Sequence, residues 1–249
     1  HDLGHTPFGH AGEDALRRIY DPGFKHNHQS LRIVDYLARD GKGLNLTNEV
    51  REALVTSTPV SEGLSSEGRG HGSIESKIVK LADTIAYINH DTDDAIRAKL
   101  IAPEDLPSEA SAVLGEDNSA RINTLVTDVV TQNWKLALPD GPLATADRRN
   151  IELNLSPHIE SAADKLKGFL FERVYVGSEA KQEESKVCHL LDSLFRHFCE
   201  HPEKLPPELQ RNPRGEPIER LVVDYIAGMT DRFATNAFET LFVPRGWSA

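Results

Sequence analysis

An all-α fold is predicted by two observations: apolar residues three and four apart recur along the chain, and Val/Ile/Thr alternation never runs far before a helix-type charge pattern interrupts it. A third, the cap and stop residues at the ends of these segments, sets their boundaries. In EDALRRIY, Ala15, Leu16, Ile19 and Tyr20 share one face, and in QSLRIVDYLARDG Leu31, Val34 and Leu37 do, with Gly41 as a stop. Thr47 caps NEVREALV, which carries Glu49 and Glu52 in or near its first turn and is followed by Pro59. Residues 61–73, SEGLSSEGRGHGS, lack periodicity and read as a mobile loop. A long helix from about Ile74 to about Lys99 places Ile78, Leu81, Ile85 and Ile88 on its buried stripe, with Pro103 beyond it. Further helices are expected at about 103–114, 118–134, 158–175, 182–199 and 217–242. The Pro/Gly-rich connections 139–142 and 202–217 do not read as domain linkers, because amphipathic helices resume on both sides, and no internal repeat is present.

At 249 residues with 39% apolar composition, the chain can bury a proper core. No run approaches the length of about 20 apolar residues that a membrane helix needs, and no signal-peptide pattern appears, so a soluble, cytoplasmic protein is expected. Cys188 and Cys199 suit neither a zinc site nor a disulfide framework and read as reduced thiols. The net charge of -11, from 39 acidic against 28 basic residues, argues against a nucleic-acid surface. A nucleoside triphosphate is still admissible where a metal and a few cations reverse the potential inside one pocket.

The opening stretch, HDLGHTPFGHAGE, holds His1, His5, His10, Asp2 and Glu13 within thirteen residues. His1 and His5 are four apart, and Gly4 with Thr6-Pro7 supplies the bend that lets an adjacent His-Asp pair project into one cavity. Imidazole nitrogen with carboxylate oxygen suits divalent ions such as Mn, Fe, Mg or Zn, and further ligands must come from elsewhere. In KLADTIAYINHDTDD the candidate is Asp83, between the apolar Leu81 and Ile85; a capped or salt-bridged core aspartate is an equally weighted reading. Tyr87 and Asp91 follow at four-residue steps on the same face.

HDLGHTPFGHAGE, FKHNHQSLRIV, ADTIAYINHDTDD, RINTLVTDVV, LFERVY and DYIAGMTDRFA together resemble, in the same order, the motifs of the deoxynucleotide triphosphohydrolase branch of the HD-domain superfamily, and closest to them is the bacterial deoxyguanosinetriphosphate triphosphohydrolase-like group. The resemblance runs from the first residue to the last and implies an HD-domain helical bundle with additional C-terminal helices. It further implies one phosphohydrolase domain over residues 1–249, with a metal core at about 1–100 and a C-terminal helical part at about 101–249. The implied metal ligands are His1, Asp2 and Asp83, with an upstream histidine absent, so the chain reads as truncated at its N-terminus. The implied cofactor is a divalent metal, Mn or Mg first, with Fe, Co or Zn as alternatives.

The resemblance implies that water attacks the α-phosphorus of a deoxynucleoside triphosphate, releasing deoxynucleoside and tripolyphosphate. His10 and Glu13, one helical turn apart, would transfer the proton, with the carboxylate orienting the imidazole. Outside the motif, the same pair reads as a helix N-terminal acid beside a surface histidine. His5 and His26 would face the triphosphate, with His26 counted in the catalytic set, and stabilise charge on the α-phosphate. Tyr87 would exclude a ribose hydroxyl, or simply pack in the core, and Asp91 would accept from the 3′ hydroxyl. Lys167, or Arg173 in its place, would contact phosphate. His28 and His90 are out of phase with the site and read as solvated. Thr84 stands where some relatives carry a lysine. Asp224 and Arg232 have no assigned chemistry beyond holding the C-terminal helices to the core or to another subunit. A homo-oligomer is expected, and neither membrane nor nucleic acid. The competing functions are an HD phosphohydrolase of another class, such as a monophosphatase or phosphodiesterase, and a non-catalytic nucleotide-sensing module.

Overall fold

The structure, a computed structural model, describes residues 2–56, 72–138, 141, 151–175 and 178–244, with backbone alone at 175 and 178–182. The fold is all-α, and no strand occurs among the described residues. The chain divides into two compact units, one of His1–Val55 with Lys181–Ala249 and one of Thr56–Ala180.

In the first unit, α1 (Gly9–Ile19) buries Ala15 and Leu16, the residues its periodicity selects. α2 (His26–Arg32) runs directly into a π-helical turn, Ile33–Leu37, and the chain then passes through left-handed Arg39 and Asp40 before Gly41. The expected single helix there is interrupted, and Val34 is fully buried while Leu31 and Leu37 are half-buried. α3 (Asn48–Thr56) begins directly after Thr47. α8 (Ser178–Glu200) contributes Leu191, Leu194 and Phe198 to a core completed by α9 (Ile218–Ala227) and α10 (Asp231–Phe242). The expected helix 217–242 is thus two. Gly228 and Met229 separate them, and Thr230 caps the second by accepting from the Phe233 N–H.

In the second unit, α4 (Ile74–Arg97) is capped by Ser73 and buries Ile74, Leu81, Ile85 and Ile88. Ile78, expected on that stripe, is 53% exposed, because the buried face passes through Ile74, Lys77 and Leu81 instead. The expected helix at 103–114 is a 3-10 turn at Pro103–Asp105 followed by α5 (Ser108–Leu114), with Pro107 as the break. α6 (Asn118–Asn133) and α7 (Pro157–Leu170) complete the unit, and α7 ends in a second π-helical turn, Phe171–Tyr175. Asp128 accepts from both the backbone N–H and the hydroxyl of Ser156, fixing the start of α7. Buried Arg121 donates to Asn89, Asp93 and the Glu116 carbonyl, tying α6 to α4.

Gly72 and Ser73 apart, the segment 61–73 lies outside the described residues, as do Pro59 and most of 139–142. Cys188 and Cys199 form no disulfide, and burial, aided by Glu219 and Glu200, pushes the Cys199 thiol up to about 11. Among the described residues no helix is long and apolar enough to cross a membrane.

A buried carboxylate joins α2 to α9. Asp224, whose side chain has no exposed surface, accepts from Gln29 Nε2 (2.8 Å), Arg32 Nη2 (2.7 Å) and Arg220 Nη2 (2.5 Å), while Arg32 also pairs with Glu216. This is the holding role that the sequence left open for Asp224; Arg232 is exposed on α10. Removing one member of such a cluster strands buried charge, so Asp224→Ala is expected to destabilise the protein by about 3–5 kcal/mol in urea unfolding. A loss under about 1 kcal/mol would show that water compensates the two arginines.

Candidate functional site

The site in the first unit begins with a 3-10 turn, Asp2–Gly4, closed by the His5 N–H on the Asp2 carbonyl (3.0 Å). Gly4 lies against α2, where a Cβ would sit 2.3 Å from Ser30 N and 2.4 Å from His26 O. Its own N–H donates to Ser30 Oγ (2.8 Å), and that hydroxyl donates to His26 O (3.0 Å). The turn carrying Asp2 and His5 is therefore fixed to the segment carrying His26. Thr6 then bonds Gly9 O, Phe8 adopts a left-handed conformation (φ 63°), and its N–H donates to Asp231 at the start of α10. Gly12 lets α1 close on the Pro7 carbonyl, where a Cβ would stand 1.9 Å away.

These contacts bring His5, His10, Glu13 and His26 together. The His5 and His26 rings lie 4.9 Å apart by centroid, His5 and His10 5.6 Å, and His10 and His26 6.2 Å. Glu13 is buried beneath them. Its Oε2 meets His26 Nδ1 at 2.8 Å and His10 Nδ1 at 3.7 Å, and its Oε1 accepts from Arg17 Nη2 (2.5 Å) and the His26 N–H (3.3 Å). The spacing paired Glu13 with His10; the fold adds His26 as the closer partner. Arg17 was not singled out by the sequence, although its place four residues after Glu13 is the favourable helical spacing for such a pair.

Burial alone would push the Glu13 carboxyl up, but the His10 imidazole beside it, the hydrogen bond and charge of His26 and the charge of Arg17 outweigh it and hold the group well below the usual carboxylate range. His10 is exposed, yet the Glu13 carboxylate 3.7 Å away raises its pKa against the opposing effects of burial and Arg17. An ionised Glu13 can only accept, so the Nδ1 of His26 carries the shared proton, and Nε2 becomes that ring's working nitrogen.

The other candidates lie in the second unit. Asp83, Tyr87 and Asp91 are half-buried at four-residue steps on α4, and Tyr87 packs against that unit's core. Lys167 is half-buried on α7, and Arg173 is exposed in the π-helical turn after it. His28 and His90 are exposed, as their phase predicts. The Thr84 hydroxyl donates to the Lys80 carbonyl (2.9 Å), a bond within its own helix.

Of the implied metal ligands, His1 lies outside the described residues, Asp2 is exposed in the first unit and Asp83 belongs to the second. Among the described residues no group of three or more His, Cys, Asp or Glu side chains is placed to hold a metal ion. By donor type the three fit a divalent cation, since two carboxylates supply charge and imidazole suits borderline metals.

A family model for the phosphohydrolase-associated domain matches residues 153–240. Deoxyguanosinetriphosphate triphosphohydrolase-like proteins align over nearly the whole chain. That of Caldanaerobacter subterraneus subsp. tengcongensis is 41% identical over 99% of this chain and 66% of its own length. That of Clostridium perfringens strain SM101 is 39% identical over 98% and 68%, and that of Nitrosomonas europaea 36% identical over 97% and 73%. The chain thus spans about two thirds of the length of the relatives it matches. At this identity over nearly its whole length, the chain belongs to the deoxyguanosinetriphosphate triphosphohydrolase-like family of HD-type phosphohydrolases.

Proposed function

We propose that this chain carries the HD-type catalytic domain of a metal-dependent deoxynucleoside triphosphohydrolase. Water attacks the α-phosphorus of a dGTP-like substrate, the bond from phosphorus to the 5′ oxygen breaks, and deoxynucleoside and tripolyphosphate leave. The observation that carries the reading is the cluster of three imidazoles, two of which meet one buried, ionised carboxylate. Such a group can hold protons near neutral pH and present cationic donors to a polyanion, in a chain whose net charge of -11 would otherwise repel it. The names of the relatives add the substrate class.

His10, exposed and with its pKa raised by Glu13, would give a proton to the leaving 5′ oxygen. His26, its Nδ1 fixed by Glu13, presents Nε2, and His5 beside it faces the α-phosphate. His1, Asp2 and Asp83 would hold a divalent ion, Mn or Mg, which when bound polarises a phosphoryl oxygen and activates water. Tyr87 fills the space beside C2′, Asp91 accepts from the 3′ hydroxyl, and Lys167 contacts phosphate. The full-length protein works in the cytoplasm as a homo-oligomer.

Incubation of the full-length protein with each deoxynucleotide and Mn or Mg should yield tripolyphosphate and deoxynucleoside in equal amounts. Orthophosphate or pyrophosphate as the primary product would overturn the reading in favour of another phosphohydrolase class. His10→Ala, Glu13→Ala and His26→Ala should each lower kcat by about 10²-fold or more with metal affinity nearly intact, as is typical of general acid-base residues. Because Glu13 raises the His10 pKa, the acid form of His10 persists above the ordinary imidazole value of about 6.5 and is lost as pH rises through the raised value. Glu13→Gln should therefore move the alkaline limb of the kcat profile to lower pH, and an unmoved limb would remove His10 from the acid role. Tyr87→Ala should weaken discrimination against ribonucleotides more than it lowers the maximal rate. An unchanged preference ratio would leave Tyr87 as core packing alone.

A further inference from the structure

Arg17 lies outside every motif that suggested the site, yet it touches the site's central group. It is on the turn of α1 that follows Glu13, and its guanidinium makes three contacts in different directions. Nη2 donates to Glu13 Oε1 (2.5 Å), Nη1 to Asp14 Oδ1 (2.7 Å) and Nε to the Phe24 carbonyl (2.9 Å). The last bond reaches across to the residues that lead into α2, two positions before His26. One planar fork thus fixes both the carboxylate and the chain that carries its partner imidazole.

The two oxygens of Glu13 are consequently unequal. Oε1 is taken by Arg17 and the His26 N–H, and Oε2 alone faces the ring nitrogens, His26 at 2.8 Å and His10 at 3.7 Å. Were the carboxylate to rotate, each imidazole could have an oxygen of its own. We propose that Arg17 is the positioning residue of this site, locking Glu13 so that His26 and His10 share the single oxygen Oε2. The shared oxygen keeps the His26 and His10 rings together, since a proton-bearing Nδ1 on either imidazole is drawn to the same point.

The charge of Arg17 has a second consequence. His10 faces Glu13, Asp14 and Arg17 from its own helix, His5 from the opening turn and His26 from α2. Glu13 and Asp14 favour its protonated form, and Arg17 opposes it. Arg17 therefore moderates the effect of the carboxylate, keeping His10 able to release its proton as well as hold it.

The proposal depends on the hydrolytic reading only for its turnover arm. In the full-length protein, ring-proton NMR titration of His10 should show its midpoint moving upward in Arg17→Met, where the opposing charge is gone. Arg17→Lys keeps the charge but cannot span Glu13 and Phe24 together, so its His10 midpoint should move upward less than that of Arg17→Met. With dGTP and Mn, both variants should lose about tenfold or more in kcat, with KM changing less, because positioning is lost in each. Arg17→Gln replaces the methionine variant in the same titration should that variant fail to fold. A folded, uncharged variant whose His10 titrates at the wild-type midpoint overturns the proposal and makes Arg17 a packing residue. Should the His10 shift appear while wild-type protein shows no turnover of any deoxynucleotide, the positioning role stands and the triphosphohydrolase reading falls.

Discussion

A carboxylate that keeps only 4% of its side-chain surface in contact with solvent must be met by donors or become neutral, and Glu13 is met on every side. Arg17 comes from its own helix, the His26 ring and N–H from the next, and His10 from one turn earlier. Each donor brings a constraint. Arg17 ties the connection at Phe24, His26 requires α2 to begin at that point, and the close approach of Gly4 to α2 seats the opening turn beside it. The geometry of the histidine cluster is in this sense the solution to one desolvation problem.

The same solution recurs around Asp224, whose side chain is fully buried. Asp224 gathers Gln29, Arg32 and Arg220, and through them α9 holds α2. α2 is consequently held near its start by Glu13 and along its length by Asp224. A helix of only seven residues has little stability of its own, so its register is set by these tertiary bonds. In the second unit, buried Arg121 and the Asp128 cap of Ser156 play the corresponding parts, joining α6 to α4 and to the start of α7.

Polar groups also surround one place where the chain departs from regular helix. The π-helical turn Ile33–Leu37 follows the Asp224 contacts directly, and within it Asp35 receives a paired bond from Arg51 while Tyr36 lies under the Arg214 guanidinium.

Helical periodicity by itself determined the all-α class and most helix positions, because apolar residues at three and four apart have one economical burial. The cluster HDLGHTPFGHAGE was legible as a site from its density of imidazoles and carboxylates, and the exposure of His28 and His90 followed from helical phase. The breaks at Pro107 and Gly228 were missed as boundaries, since flanking segments keep an apolar face across them, and Ile78 was placed inside although polar Lys77 takes the buried position. Which imidazole Glu13 binds most closely, and what Asp224 does, could be decided only by tertiary structure. His26 is 13 residues from Glu13, and Gln29 is 195 from Asp224. Spacing along a chain reports neighbours on one helix, whereas the partner of a buried charge is whichever donor the fold brings within reach.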